Sequence, residues 1–199
     1  MDSRKKIVVF GGSFNPPHIG HAVAIENLLR LFLCDELWVM PSSDRRDKKI
    51  GVSGKDRLAM LDIMISEFFP EVHIIKTSDL EINRPGFTAT YDTLKELERF
   101  YPNDEFYFFI GTDAVGEVKE KWVKGDILHE KTKFVVINRP GAPLPENLPK
   151  NVILLQTETS GFNISSTFIR KLLTNGRTGM PYITKGVADY INREGLYRS

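Results

Sequence analysis

The chain has 199 residues, 41% of them hydrophobic, and a formal net charge of +1. The balanced charge argues against a non-specific nucleic-acid binder, and the apolar share suffices for a sizeable core rather than a disordered chain. A single cysteine, Cys34, excludes an internal disulfide framework, and the lack of an apolar leader or membrane-length run predicts a soluble, cytoplasmic protein.

Short apolar runs alternate with helix-like patterns along the chain. Strands are predicted at 6–11, 36–40, 72–76, 105–110, 133–137 and 152–155. Helices are predicted at 20–33, 53–69, 90–101, 165–174 and 184–193, with a helical region over 113–129. This alternation predicts an α/β fold with a Rossmann-like open parallel sheet, helices on both faces and a C-terminal helical extension. We expect one domain over 1–199, with the helical part beginning near residue 160.

The turn after the first strand carries the most informative residues. Positions 11–21 read GGSFNPPHIGH and lead from a β-branched strand into an amphipathic helix. Free N–H groups at a helix start hold anions, and glycines let the backbone approach a phosphate closely. His18 and His21 are spaced to share one helical face. The turn therefore indicates phosphoryl or nucleotidyl transfer, although a glycine turn alone is also ordinary packing in α/β proteins.

A second helix start lies near the other end of the chain. Positions 163–170 read NISSTFIR. Ser165, Ser166 and Thr167 can simply cap the free N–H groups of the helix. Arg170 lies one turn further on and can share their face, so the same residues can instead hold a polyphosphate.

The two end motifs resemble the nucleotidylyltransferase superfamily, which is marked by an H-x-G-H turn and an I-S-S-T-x-x-R helix start. Positions 81–94, EINRPGFTATYDTL, are similar to the E-x-x-R-x-G-x-S-Y-T-x-D-T-L segment of bacterial nicotinate-mononucleotide adenylyltransferases. The order 111–113 (GTD), Trp122 and 139–141 (RPG) resembles that family's G-x-D…W…R-P-G series. The resemblance covers nearly the whole chain, including 187–197.

The resemblance implies a reaction and its partners. The adenylyl group of ATP would pass to nicotinate mononucleotide, or alternatively to nicotinamide mononucleotide, giving a dinucleotide and pyrophosphate in NAD biosynthesis. The partners would be ATP and the pyridine mononucleotide, without nucleic acid or membrane, and homo-oligomerisation stays open. Mg²⁺ would bridge the phosphates of ATP and keep most of its waters, so no protein metal cage is needed.

The resemblance also implies roles for individual residues. The catalytic residues would be His18, His21 and Arg170. ATP would be bound by Gly12, Ser13, Phe14, Gly111, Asp113, Ile164, Ser165, Ser166 and Thr167. The mononucleotide would be bound by Asn15, Lys49, Thr88, Ala89, Thr90, Trp122 and Arg139. From spacing alone, Trp122 fits a core aromatic nearly as well, and Lys48 and Lys49 fit a solvated basic loop at least as well.

Two departures from the family pattern bear on substrate choice. Asn15 stands where the bacterial branch usually has aspartate, and Ala89 replaces the usual tyrosine. Three competing functions stay open. They are another adenylyl- or cytidylyltransferase, a fragment of a class I aminoacyl-tRNA synthetase suggested by the HIGH letters, and a catalytically silent nucleotide-binding protein on the same scaffold.

Overall fold

A computed structural model describes residues 4–43, 51–138, 143–158 and 164–198. These residues form one parallel six-stranded sheet in the order β3-β2-β1-β4-β5-β6. The strands are β1 (Lys6–Gly12), β2 (Glu36–Pro41), β3 (Ile75–Thr77), β4 (Glu105–Gly111), β5 (Lys133–Asn138) and β6 (Asn151–Gln156). The strand order reverses at β1 and β4, so their carboxyl ends flank the crevice where such sheets bind ligands.

Eight helices connect and follow these strands in the described part of the chain. They are α1 (Ile19–Leu31), α2 (Gly54–Phe68), α3 (Thr90–Phe100), α4 (Thr112–Val115), α5 (Val118–Lys121), α6 (Gly125–Lys131), α7 (Ser166–Thr174) and α8 (Lys185–Arg193). The predicted Rossmann-like architecture is confirmed. Over the same residues, no helix combines the length and the apolar character that a membrane crossing requires.

Two differences from the sequence-based expectation exceed the one- or two-residue shifts at the other element ends. The third strand begins at Ile75 rather than at residue 72, because the Val72 N–H bonds the Phe69 carbonyl in a turn that follows α2. The helical region at 113–129 is divided into α4, α5 and α6. The division before α6 occurs at Lys124, whose φ of 57° is left-handed and cannot continue a right-handed helix.

The core lies on both faces of the sheet. In β1, Val8 and Phe10 face α1, α2, α7 and α8, whereas Val9 belongs to the core on the opposite face, with α3 to α6. In the same way, Phe109 and Phe108 of β4 pack on opposite faces. Burial on both sides explains why the centre of β4 is apolar at every position.

The C-terminal helices lie on the same face as α1. The Tyr190 hydroxyl of α8 donates to Asp56 Oδ1 of α2 at 3.0 Å. The Ile19 N–H at the start of α1 donates to the Tyr182 carbonyl at 2.9 Å, ahead of α8. This packing brings α7 beside the turn that follows β1.

Candidate active site

The two histidines of the first turn form a coupled pair at the start of α1. His18 is the N-cap residue, and its Nδ1 accepts the Gly20 N–H at 3.1 Å. The His18 N–H donates in turn to His21 Nδ1 at 3.1 Å. The ring centroids lie 3.8 Å apart. Because each Nδ1 accepts a hydrogen bond, each neutral ring carries its proton on Nε2.

Burial keeps both histidines neutral in the free protein. It lowers the pKa of His18 to about 4. The pKa of His21 falls well below its ordinary value, first through burial and second through the nearby His18. Burial acts this way because the charged imidazole loses hydration. At neutral pH the pair therefore offers two Nε2–H donors rather than two positive charges.

Phe14 anchors the turn that carries these histidines. Its side chain is fully buried and meets Phe10 edge to face at 5.3 Å, while its centroid lies 4.8 Å from that of His21. Its φ of 44° is left-handed, which is rare for a bulky residue. The side chain of Phe14 is used in packing, so only its backbone is free to line a phosphate site.

The late helix start meets the first turn directly. Arg170 donates from Nη1 to the Asn15 carbonyl at 2.8 Å and from Nη2 to Thr167 Oγ1 at 3.0 Å. Ser166 Oγ donates to the Pro16 carbonyl at 3.0 Å. The structure thus joins the two segments, which the sequence assigned to one pocket, through hydrogen bonds across about three-quarters of the chain.

Ser165 and Ile164 have structural roles at the same place. Ser165 is the N-cap of α7, and its hydroxyl accepts the Phe168 N–H at 3.2 Å. Ile164 packs against the core, and its carbonyl oxygen would lie 3.9 Å from a Cβ at Gly20. The free N–H groups at the start of α7 therefore open beside the start of α1.

A cavity of about 340 Å³ lies at the carboxyl ends of β1 and β4. Its lining includes six of the residues predicted to bind nucleotides: Gly12, Ser13, Thr88, Thr90, Gly111 and Trp122. The cavity lies where strand order reverses, the usual ligand position in open parallel sheets.

Trp122 combines the two roles that its spacing allowed. The side chain is half-buried and packs against the core around Val9 and Phe108. It meets Phe108 edge-on, with 6.1 Å between ring centroids. Trp122 also lines the cavity. The core thus holds an aromatic wall against which a planar ring can stack.

Nine predicted site residues lie in the first turn or at the start of α7 and are not part of this lining: Phe14, Asn15, His18, His21, Ile164, Ser165, Ser166, Thr167 and Arg170. Four more predicted residues also stand apart from it. Ala89 is buried at the N-cap of α3. Lys49 and Arg139, together with Lys48, lie outside the described residues. Asp113 lies in the first turn of α4, where the structure describes its backbone but not its side chain.

Arg57 is a site residue that the sequence reasoning missed. Its side chain is the largest of those that are fully buried. Nη1 donates to the Ser13 carbonyl at 2.8 Å, and Nη2 donates to the Ser42 carbonyl at 2.6 Å. Arg57 thus ties the turn after β1 to the segment after β2. The signal was a basic residue on the apolar face of a helix, since Arg57 shares that face with Met60, Leu61 and Met64.

Glu81 is a second missed residue. It is buried, lines the cavity, and accepts a hydrogen bond from Thr93 Oγ1 at 2.7 Å. Burial raises the pKa of this carboxyl despite that bond. Nearby, Ser43 Oγ donates to Thr88 Oγ1 at 2.8 Å and joins the segment after β2 to the cavity wall. Within the described ranges, no group of three or more His, Cys, Asp or Glu residues is arranged to hold a metal ion.

Comparison with known proteins gives consistent matches over nearly the whole chain. The cytidylyltransferase-like family model matches residues 9–172. A Geobacillus kaustophilus protein assigned as a nicotinate-nucleotide adenylyltransferase is 36% identical over 194 residues, covering 96% of this chain and 86% of its own. A Shouchella clausii protein with the same assignment is 35% identical over 195 residues, and the match covers 97% of each chain.

Solved structures agree with these sequence matches. The nicotinic acid mononucleotide adenylyltransferase of Plasmodium falciparum, complexed with NaAD, superposes with a TM-score of 0.84 at 29% identity and 98% coverage of both chains. The same enzyme complexed with APC gives a TM-score of 0.79 at 28% identity, again with 98% of both chains covered.

Proposed function

The chain belongs to the cytidylyltransferase-like family and, within it, to the nicotinate-nucleotide adenylyltransferases, and we propose that it transfers the adenylyl group of ATP to nicotinate mononucleotide in NAD biosynthesis. The observation that carries the proposal is the bond from Arg170 Nη1 to the Asn15 carbonyl, which joins the two phosphate-binding motifs. The cavity beside them has room for a nucleotide at the strand ends.

The chemistry asks for positioning and charge stabilisation. An oxygen of the acceptor's 5′-phosphate attacks the α-phosphorus of ATP, and the bond from that phosphorus to the oxygen bridging to the β-phosphorus breaks. Pyrophosphate leaves with the electron pair of the broken bond. No protein nucleophile takes part, and catalysis rests on groups that hold the phosphates in line and neutralise developing charge.

The described side chains supply these groups. The Nε2–H groups of His18 and His21 donate to oxygens of the transferring phosphate. Arg170 adds a fixed positive charge on the side where the β- and γ-phosphates leave, and the hydroxyls of Ser166 and Thr167 lie beside it. A neutral imidazole donor suits this role because it needs no proton uptake before the reaction.

The cavity walls suit the two nucleotides differently. We assign ATP to the strand ends at Gly12, Ser13 and Gly111. We assign the pyridine ring to the wall formed by Trp122, because the N-ribosylated ring is cationic and aromatic faces attract cations. The free N–H groups at the start of α3, near Thr90, suit the carboxylate of nicotinate better than the neutral amide of nicotinamide.

Mg²⁺ completes the proposal as part of the substrate MgATP, where it bridges phosphate oxygens. The cytoplasmic location and the absence of nucleic-acid and membrane partners stay predictions of the sequence. Both histidines and Arg170 are present, which favours an active enzyme over a silent nucleotide-binding protein.

Pyrophosphate release tests the function. The assay uses matched MgATP with nicotinate mononucleotide, nicotinamide mononucleotide or 4′-phosphopantetheine as acceptor, and repeats each with CTP. We expect the highest kcat/KM with ATP and nicotinate mononucleotide. Turnover with 4′-phosphopantetheine or with CTP instead would favour the competing transferases. Nucleotide binding without pyrophosphate release would identify a silent binder.

A further inference from the structure

The C-terminal tail returns to the first turn of the chain. The segment after α8 is held to that helix by the Leu196 N–H, which donates to the Ile191 carbonyl at 3.0 Å. It then directs the Tyr197 ring into the interior, where the hydroxyl donates to Asn15 Oδ1 at 2.6 Å. These two residues are 182 positions apart in the chain. A tail thus contacts the turn that carries the catalytic histidines.

Strained backbone on both sides of this contact indicates that the surrounding structure holds it in place. Tyr197 has a φ of 60°, and Phe14 has a φ of 44°. Left-handed backbone is costly for bulky residues and persists only where the surroundings hold it in place. One of these residues precedes Asn15 in the chain, and the other bonds its side chain. Two strained aromatic residues therefore converge on one asparagine.

The contacts of Asn15 leave one group available. Its backbone carbonyl accepts Arg170 Nη1, and its Oδ1 accepts the Tyr197 hydroxyl. Among the described residues, none forms a hydrogen bond with its Nδ2. This nitrogen is also not one of the fully buried side-chain atoms that lack a hydrogen-bond partner. Because the Tyr197 hydroxyl bonds the amide oxygen in this structure, the end of the amide that is left for another partner is the Nδ2 donor.

We propose that Tyr197 is a positioning residue, whose hydroxyl orients the Asn15 amide so that Nδ2 donates to a phosphate oxygen of a bound nucleotide. This inference rests on the proposed adenylyl transfer. Tyr197 acts through Asn15 and does not touch the substrate. The Asn15 amide can donate a hydrogen bond to an anionic phosphate, which an ionised carboxylate cannot do.

The primary test is Tyr197→Phe, which removes the hydroxyl and keeps the ring. We expect kcat/KM to fall about tenfold, the size of effect typical of one lost hydrogen bond to a charged group. Separate KM values for ATP and for the mononucleotide identify which phosphate the amide contacts, since only that value should rise. The melting temperature is measured in parallel.

Tyr190→Phe is the matched control. It also removes a tyrosine hydroxyl from the C-terminal segment, but that hydroxyl bonds Asp56 Oδ1 on α2, away from the first turn. We expect a comparable change in melting temperature and unchanged kinetics. Equal kinetic losses in Tyr197→Phe and Tyr190→Phe would overturn the proposal, because the loss would then come from docking of the tail.

A double-mutant cycle with Asn15→Ala tests the route of the effect. If Tyr197 acts through Asn15, adding Tyr197→Phe to Asn15→Ala changes kcat/KM less than twofold, because the group being oriented is gone. The proposal would be overturned if the losses of kcat/KM in Tyr197→Phe and Asn15→Ala multiply in the double variant. Wild-type kinetics in Tyr197→Phe would also overturn it. Calorimetric binding of each nucleotide distinguishes failure of the proposed adenylyl transfer from failure of the positioning role of Tyr197. Wild-type binding without turnover contradicts adenylyl transfer, and the affinity of Tyr197→Phe still tests the positioning role.

Discussion

Arg170 Nη1 donates to the backbone carbonyl of Asn15 at 2.8 Å, across 155 residues of sequence. The bond links the helix start of α7 to the turn that precedes α1. A carbonyl accepting from Arg170 uses one of the five guanidinium N–H donors, and Thr167 uses a second. The remaining donors are available to phosphate oxygens between the two helix starts.

The histidine pair should contribute mainly to the transition state. We expect His21→Ala to lower kcat at least 100-fold, which corresponds to about 3 kcal/mol of lost charge stabilisation. His18→Asn should have a similar effect, and it keeps an N-cap side chain in place of the one His18 provides. Steady-state pyrophosphate release measures both.

His73→Ala is the control for the histidine variants, because His73 is exposed on the turn before β3. It should keep wild-type turnover. Wild-type turnover in His21→Ala, with the protein folded, would remove that residue from the catalytic assignment.

Arg170→Lys tests whether the planar guanidinium is needed. Lysine keeps the charge but cannot bond Asn15, Thr167 and a phosphate in one plane. We expect kcat/KM for ATP to fall tenfold or more, with a smaller change in the KM of the mononucleotide. Arg177→Lys, at an exposed position just after α7, should change neither value. Unchanged ATP kinetics in Arg170→Lys would contradict the assignment of Arg170 to the β- and γ-phosphates.

Trp122→Ala tests the aromatic wall. Loss of ring stacking should raise the KM for the pyridine mononucleotide about tenfold and leave the KM for ATP nearly unchanged. Trp38→Phe is the matched control, because Trp38 packs on Tyr101 and Phe106 outside the cavity lining. It should lower the melting temperature only. If Trp122→Ala raised the KM for ATP alone, the assignment of the pyridine ring to Trp122 would be wrong.

Acid should destabilise the fold through the histidine pair. Burial lowers the pKa of His18 from 6.5 to about 4, so between these values the unfolded chain binds more protons than the folded one. The free energy of unfolding therefore decreases as pH falls from 6.5 towards 4, by about 3 kcal/mol for His18 at full extent. His21 contributes in the same direction.

Urea unfolding at several pH values between 7 and 4.5 measures this dependence. His18→Asn removes the titrating ring, so its free energy of unfolding should depend less steeply on pH than that of the wild type. Glu36 and Glu81 also have shifted pKa values, but they are present in both proteins and cancel in the comparison. Parallel pH curves for the two proteins would mean that His18 is not buried as a neutral ring.

Local sequence patterns were sufficient for the fold and for the two end motifs. Apolar β-branched runs and amphipathic helices are local signals, so the strands and most helix limits were predictable. The break before α6 was not predictable from local patterns. Gly125 marks this break, since a Cβ at that position would overlap the carbonyl oxygens of Val118 and Lys119. The motifs at His18 and Arg170 were recognisable because their residue types suit phosphate.

The supporting residues were not predictable in the same way. Arg57 and Tyr197 act through backbone carbonyls and side chains that are distant in sequence. Their partners are decided by how α2 and α8 pack against the sheet and each other, and no local pattern carries that information. The contact from Tyr197 to Asn15 exists only because α8 lies on the same face as α1.

The structure of the protein with a non-hydrolysable, methylene-bridged ATP analogue tests the central claim most directly. We predict that oxygens of the α-phosphate lie within hydrogen-bond distance of Nε2 of His18 and His21, and that the outer phosphates lie against Arg170 at the start of α7. A triphosphate bound away from the imidazole pair, or held by only one of the two chain segments, would contradict it.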